Sequence, residues 1–328
     1  MHVPEHLIND PTEIITAVGA TAVLATAALR PSAALRPPAA LRPVRDQRPV
    51  PTLVEHPERV GPQVATAALV FALQMVNVPV LAGTSGHLFG GALATALLGP
   101  RRALFAVTAV LASQALFFAD GGVGALGVNV LLISIVPVLV TAVAMRLIAT
   151  SGRIDGRWWA SVAAGSLAGP PLAALAFVGL HAVGGTTQVP LGELTSSMLG
   201  VHSAIGIGEL VVTFAALGAF VALRRLELSP TAAMATCAVG TAGVLSLAAS
   251  SQPDGLERVA GDLGFAVTGP GSILHGSPLA DYALSGLDGS LSGSAAGLIG
   301  LVLTAALAAG AALLIRPAAP VAAELDQA

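Results

Sequence analysis

Apolar residues fall along this chain in blocks long enough to cross a bilayer, roughly 20 residues each, separated by short polar or Gly/Pro-rich breaks. The blocks predict helices over about 12–29, 62–82, 102–119, 124–149, 158–182, 198–223, 232–250 and 293–315. A ninth, shorter segment at about 86–99 follows the turn Ala82-Gly83-Thr84-Ser85-Gly86. It reads as a short helix or a re-entrant one buried within the bundle. The expected fold is all-α: a polytopic transmembrane bundle of about seven helices, then a two-helix C-terminal unit around a loop at 251–292.

Composition supports the membrane reading. Of 328 residues, 55% are hydrophobic and only 10% are charged, against roughly 25% charged in soluble domains. A soluble fold of this size could not cover its surface with so few charges. All 15 basic residues are arginine and the net charge is −3, which does not suit a nucleic-acid partner. Cys237 is the only cysteine, so neither an intramolecular disulfide nor a cysteine metal cluster can form. Glu5, Asp10 and Glu13 precede the first apolar run and no basic region does, unlike a signal peptide.

Arginine placement predicts the orientation. With nine crossings and an external N-terminus, the inner loops hold Arg30, Arg36, Arg42, Arg45, Arg48, Arg59, Arg101, Arg102, Arg146, Arg153, Arg157, Arg224, Arg225 and Arg316. Only Arg258 falls outside. Dropping the short segment would put several later arginines on the wrong side, so 86–99 is expected to cross, with the N-terminus outside and the C-terminus inside. The outer positions then gather Glu5, Asp10, Glu13, Asp120, Glu193, Asp254, Glu257, Asp262, Asp281 and Asp288, a weak attraction for cations.

Two loops differ from simple connectors. Residues 30–51 carry an imperfect Ala-Ala-Leu-Arg-Pro repeat at 27–31, 33–37 and 39–43. Such proline density predicts an extended or disordered linker, basic enough to touch anionic lipid. The loop at 251–292 is rich in Gly, Ser and Asp, contains Gln252-Pro253-Asp254-Gly255-Leu256-Glu257-Arg258-Val259-Ala260, and is expected to pack on the membrane domain.

No hydrolase motif, P-loop or zinc-protease motif is present, so the candidate chemistry rests on seven histidines. A free terminal amine, the next amide nitrogen and a histidine at position two can wrap one metal in a five-membered and a six-membered chelate ring. Met1-His2 therefore offers three nitrogens in a plane with a fourth corner open. Such a set suits Ni(II) or Cu(II), with Co(II) a close competitor, and binding strengthens with rising pH because the amide must lose its proton. The competing reading is a frayed terminus. His87 sits where glycines interrupt a span, and broken membrane segments line binding sites; otherwise it is a packing histidine. Thr84 and Ser85 can orient its ring, as can Gln74 or Asn77. His202 and Glu209 share one face of their helix, for a pathway or a structural hydrogen bond. His6, His56, His181 and His275 fall in exposed or boundary positions and are expected to be solvated.

These residues carry a resemblance. Met1-His2-Val3-Pro4, Phe71-Ala72-Leu73-Gln74-Met75-Val76-Asn77-Val78-Pro79 and Gly83-Thr84-Ser85-Gly86-His87-Leu88 resemble the CbiM/NikM family, the substrate-capture components of energy-coupling-factor cobalt and nickel importers. So do Phe118-Ala119-Asp120-Gly121-Gly122, Leu126-Gly127-Val128-Asn129 and the stretch from His202 to Glu209. Pro253 to Glu257 resembles the PDGLE region of the companion subunit CbiN/NikN. The resemblance implies a metal-binding membrane domain at 1–226, with a Pro/Arg-rich cytoplasmic loop at 30–61, and a PDGLE unit at 227–328. It implies a transporter subunit of the bacterial cell membrane, linked to cobalamin biosynthesis. The metal would be held by the Met1 amine, the His2 amide and imidazole, and His87, with the N-terminus folded back into the bundle. Gln74, Asn77, Thr84, Ser85, Asn129, His202 and Glu209 become second-shell or pathway candidates. Transport in the family needs a transmembrane coupling subunit and ATPase subunits, which this sequence lacks; no resident cofactor is implied, only Co(II) or Ni(II) as cargo. The fused small subunit tips the expectation toward cobalt. The chain departs from the family in its longer loop at 30–51 and in Glu5-His6, where Asp-Gly is frequent; His6 is either an extra ligand or harmless.

Two other readings compete. An intramembrane metal-dependent hydrolase would use His87, His202 and Glu209 with an open water position. An assembly subunit would bind no metal.

Overall fold

In the computed structural model of the protein, the described residues are 1–29, 51–266, 272–287 and 289–314. The repeat at 30–50, Asp288 and Arg316 lie outside them. The fold is an all-α membrane bundle. Five helical stretches have the length and apolar character to cross a membrane: Asp10–Ala28, Leu126–Ile148, Gly156–Gly184, Leu191–Arg225 and Leu291–Leu313.

Helix α1 (Asp10–Ala28) starts where the Asn9 side chain accepts a hydrogen bond from Thr12 N. Helix α2 (Val60–Gln74) stops sooner than its apolar run, which was expected to stay helical to 82. Strands β1 (Val78–Leu81) and β2 (Thr84–Gly86) instead form an antiparallel hairpin. Pro79 cannot supply a helical N–H, and Gly83 takes the left-handed conformation that the turn requires.

The short segment is part extended and part helical. Helix α3 (Gly91–Leu98) is fully buried, and its eight residues span only about 12 Å. Residues 86–90 join the hairpin to α3, with Gly90 in the left-handed conformation at the start of that helix, and the chain passes from one end of the bundle to the other. Ser85 pairs with Pro253 near Met1, whereas Ala96 and Leu97 accept backbone hydrogen bonds from Leu53 and Val54.

Helix α4 (Pro100–Phe117) returns toward the first end. Helices α5 (Leu126–Asn129) and α6 (Val136–Ile148) form one span through a π-turn at Val130–Ile135. Pro137, lacking an N–H, accounts for that widening. Helix α7 (Gly156–Gly184) is capped by Asp155. Helix α8 (Leu191–Arg225) has 35 residues, about 52 Å by the helical rise.

The C-terminal unit comprises α9 (Pro230–Gly243), α10 (Gly255–Asp262) and α11 (Ser290–Leu314). Helix α9 ends short of the expected 250, followed by a 3₁₀ turn at Leu245–Ala248. Helices α9 and α11 pack on α2, and α11 also on α4. Close approach there needs small residues: a Cβ at Gly300 would collide with the Phe71 ring, and Ser113 hydrogen-bonds Thr304 across the α4–α11 seam at 2.7 Å.

The ends differ in charge. Arg59, Arg101, Arg102, Arg146, Arg153, Arg157, Arg224 and Arg225 lie at or next to helix termini of one end. The other end carries residues 1–9, the hairpin and α10, whose Arg258 pairs with Asp262 at 2.8 Å.

Candidate metal centre

The N-terminus is a built part of the interior. Asn129 clamps Val3 on both sides, accepting from its N–H at 2.7 Å and donating to its carbonyl at 3.0 Å. Glu5 is buried rather than solvent-facing, and accepts from Gly124 N and Ile273 N at 2.8 and 2.7 Å. Further on, Asn9 N donates to Gly184 O at 2.7 Å. These anchors thread Met1 inward until it is only 1% exposed.

Two imidazoles meet that terminus. The Met1 ammonium donates to His87 Nε2 at 2.6 Å. The other nitrogen of His87 donates to Leu88 O at 2.9 Å, so Nε2 carries the lone pair. The rings of His2 and His87 stack with centroids 4.9 Å apart. His2 Nε2 faces Gln114 Oε1 at 3.2 Å, while Nδ1, the nitrogen a six-membered chelate would use, lies 3.3 Å from Asp120 Oδ2. Burial and then the neighbouring ammonium push the His2 pKa down to about 3, which leaves a neutral imidazole able to act as a donor.

Asp254 completes the cluster from the C-terminal unit. Its Oδ1 caps α10 by accepting from Leu256 N and Glu257 N, and its Oδ2 pairs with the Met1 ammonium at 2.9 Å. Burial alone would raise its pKa, but the ammonium, His87 and the helix N–H outweigh burial and hold the carboxyl well below the usual range. A cavity of about 390 Å³ opens on these groups, lined by His2, His87, Asp120, Asp254, Glu257 and Asp281 among others.

The remaining candidates take other places. Glu209 accepts from Phe89 N and Gly90 N at 2.6 and 3.0 Å, so both oxygens are spent on the loop between His87 and α3. Gln74 donates to Phe89 O at 2.8 Å. Ser85 does not orient His87; it donates to Gln252 O at 2.6 Å. Thr84 is buried in β2, and Asn77 lines the cavity while its carbonyl accepts from Ser250 N. His202 is fully buried, with Nδ1 on Met198 O. The convergence of His87, His202 and Glu209 that a hydrolase needs is therefore not formed. His181, expected to be solvated, is 5% exposed and packs between Phe177 and Phe265; His6, His56 and His275 are exposed.

Sequence reasoning did not assign Asp254 to the terminal amine, nor Gln114 to His2. In the structure Asp254 and Glu257 form a capping box at the start of α10, a helix that the reading of 251–292 as a loop did not include, and the spacing says nothing about a partner across the fold. Among the described residues, no three His, Cys, Asp or Glu side chains form a metal site by themselves.

The family model for CbiM, described as "Cobalt uptake substrate-specific transmembrane region", matches residues 2–228, and the PDGLE domain matches 229–317. The "Putative fused nickel transport protein NikMN" of Archaeoglobus fulgidus is 35% identical over 254 residues, covering 74% of this chain and 82% of that protein. The "Cobalt transport protein CbiM" of Thermosediminibacter oceani is 29% identical over 170 residues, 44% of this chain and 68% of that protein. A crystal structure described as a truncated transition metal transporter is 24% identical, with a TM-score of 0.46 over 67% of this chain and 98% of that one. The protein is a transport component rather than an enzyme, and the chain belongs to the CbiM/NikM family of cobalt and nickel transport membrane proteins, with a NikN-like PDGLE region fused behind it.

Proposed function

We propose that this chain is the substrate-binding subunit of an ATP-driven energy-coupling-factor importer and captures Co(II) or Ni(II) through the Met1 amine, the His2 amide and imidazole, and His87. The 2.6 Å between Met1 N and His87 Nε2 carries the reading. Metal–nitrogen bonds of about 2.0–2.1 Å put neighbouring donors about 2.9 Å apart, so two of the four nitrogens already stand near ligand spacing. The His2 ring stacks beside them, and Asn129 fixes the register of the terminus.

The unit at 1–226 holds the site and the unit at 227–328 covers it. The end bearing Met1 faces outward, and the arginine-rich end faces the cytoplasm of a bacterial cell, as the bias of basic residues supports. ATP hydrolysis belongs to separate ATPase subunits joined through a membrane coupling subunit, since the sequence has no P-loop. Fused relatives are named for nickel and separate CbiM relatives for cobalt, so both ions stand as cargo; uptake competition between them decides.

One residue added before Met1 tests the site. It moves the amine by about 3.8 Å, off its 2.6 Å spacing to His87 Nε2. Metal retained by the purified protein is expected to fall from one ion per chain to near zero. Undiminished loading would sink the four-nitrogen site.

A further inference from the structure

The C-terminal unit places an oxygen where a metal needs a donor. Asp254 spends Oδ1 on the cap of α10, which leaves Oδ2 facing Met1 N at 2.9 Å and His87 Nε2 at 4.0 Å. With 2.6 Å between Met1 N and His87 Nε2, the three atoms make a triangle. Its long side is twice a metal–ligand bond of about 2.0 Å. A point midway along that side lies about 2.0 Å from each end and, by the median of the triangle, about 1.9 Å from Met1 N. An ion there would have His87 and Asp254 opposite one another and the amine beside both, three corners of a square or an octahedron.

We infer that Asp254 is an entry ligand for the incoming divalent cation, so that the capture site is built from both units of the chain. The inference rests on the proposed role of Met1 and His87. In a four-nitrogen plane the corner opposite His87 belongs to the His2 amide, so carboxylate and amide cannot hold it together. Asp254 takes the ion first and yields the corner when the plane closes. On entry the Met1 ammonium loses one proton to solvent, which frees its lone pair for the ion; the later exchange breaks a metal–oxygen bond, forms a metal–nitrogen bond and releases the peptide proton to solvent.

The local fold makes the test clean. Asn caps helices about as well as Asp, and in Asp254→Asn the single oxygen stays on the cap, leaving an NH₂ group with no lone pair toward the ion. Stopped-flow mixing of the full chain with Ni(II) or Co(II) should show Asp254→Asn associating at least tenfold more slowly. The final stoichiometry and the final absorption spectrum of the bound ion should match wild type. Asp281→Asn removes a cavity-lining charge and should slow loading no more than about threefold, an effect that salt erases as for steering. The Asp254→Asn defect should persist at high salt.

Wild-type loading by Asp254→Asn, or a defect that salt removes, overturns the inference. If loading survives one residue added before Met1, the underlying reading fails instead, so the two failures are told apart.

Discussion

Glu209 and Asp254 are both buried carboxylates, one on each side of the segment that carries His87, and they are spent differently. Glu209 gives each oxygen to a backbone N–H, Phe89 and Gly90. Asp254 gives one oxygen to its own helix and turns the other to the terminal amine. Charge in a membrane interior is costly unless satisfied, and both meet that demand. Only Asp254 keeps an oxygen on a partner that can leave. Whether a buried acid is scaffold or chemistry follows from where its second oxygen goes.

Replacing Glu209 should break this contrast most visibly. Glu209→Ala orphans two buried N–H groups, at about 1–3 kcal/mol each, and empties volume beside Phe89. A fall of several degrees in the unfolding temperature in detergent is expected, together with weaker metal loading, because His87 lies two residues before Phe89, whose N–H is freed. Asp254→Asn keeps the cap of α10 but leaves the buried Met1 ammonium without its carboxylate, so a loss of stability is expected there too; slow association that salt does not restore is what sets it apart. If Glu209→Ala lost metal with no loss of stability, Glu209 would belong to the chemistry and the distinction would fall.

What could be read in the sequence follows the same division. The spans and the break at Gly83–Gly86 are local patterns and were legible. The hairpin was not, because Val78-Pro79-Val80-Leu81 continues the apolar run of α2 and periodicity cannot separate a short strand from a helix end. That Met1, His2 and His87 come together was implied by the resemblance, which folds the N-terminus back into the bundle, and the three groups do lie side by side. Asp254 on Met1 joins the ends of the chain, and no spacing encodes it. His181 was misjudged because its burial comes from Phe265, on a distant loop, and from the N-terminal residues that cross the end of α7.

A milder change reaches Asp254 through packing. Gly255 follows the cap, and a Cβ there would lie 2.6 Å from Ile205 Cδ1, 3.0 Å from Val201 Cγ1 and 3.2 Å from His202 Cε1. The nearest contact is the end of a flexible side chain, so Gly255→Ala should lift α10 slightly off α8 rather than unfold it. Association with Ni(II) is expected to slow by about threefold to fivefold, with stability little changed. Unchanged association would mean that the position of Asp254 does not govern entry.

The smallest effect is expected at His202, the histidine most easily mistaken for a ligand. It is 0% exposed and Nε2 has no protein partner, yet Nδ1 is held on Met198 O one turn earlier and the ring lies edge-on to Phe89. Phenylalanine keeps the ring and removes an unsatisfied nitrogen, at the loss of one hydrogen bond of about 1 kcal/mol. His202→Phe should therefore bind one ion per chain, with affinity within about twofold of wild type and an unchanged absorption spectrum. Loss of the ion, or an altered spectrum at full occupancy, would make His202 a ligand and extend the chemistry to α8. The unpartnered nitrogen is then the discriminating atom: Nε2 is buried on α8 with no hydrogen-bond partner in the protein, and removing it should cost the protein little.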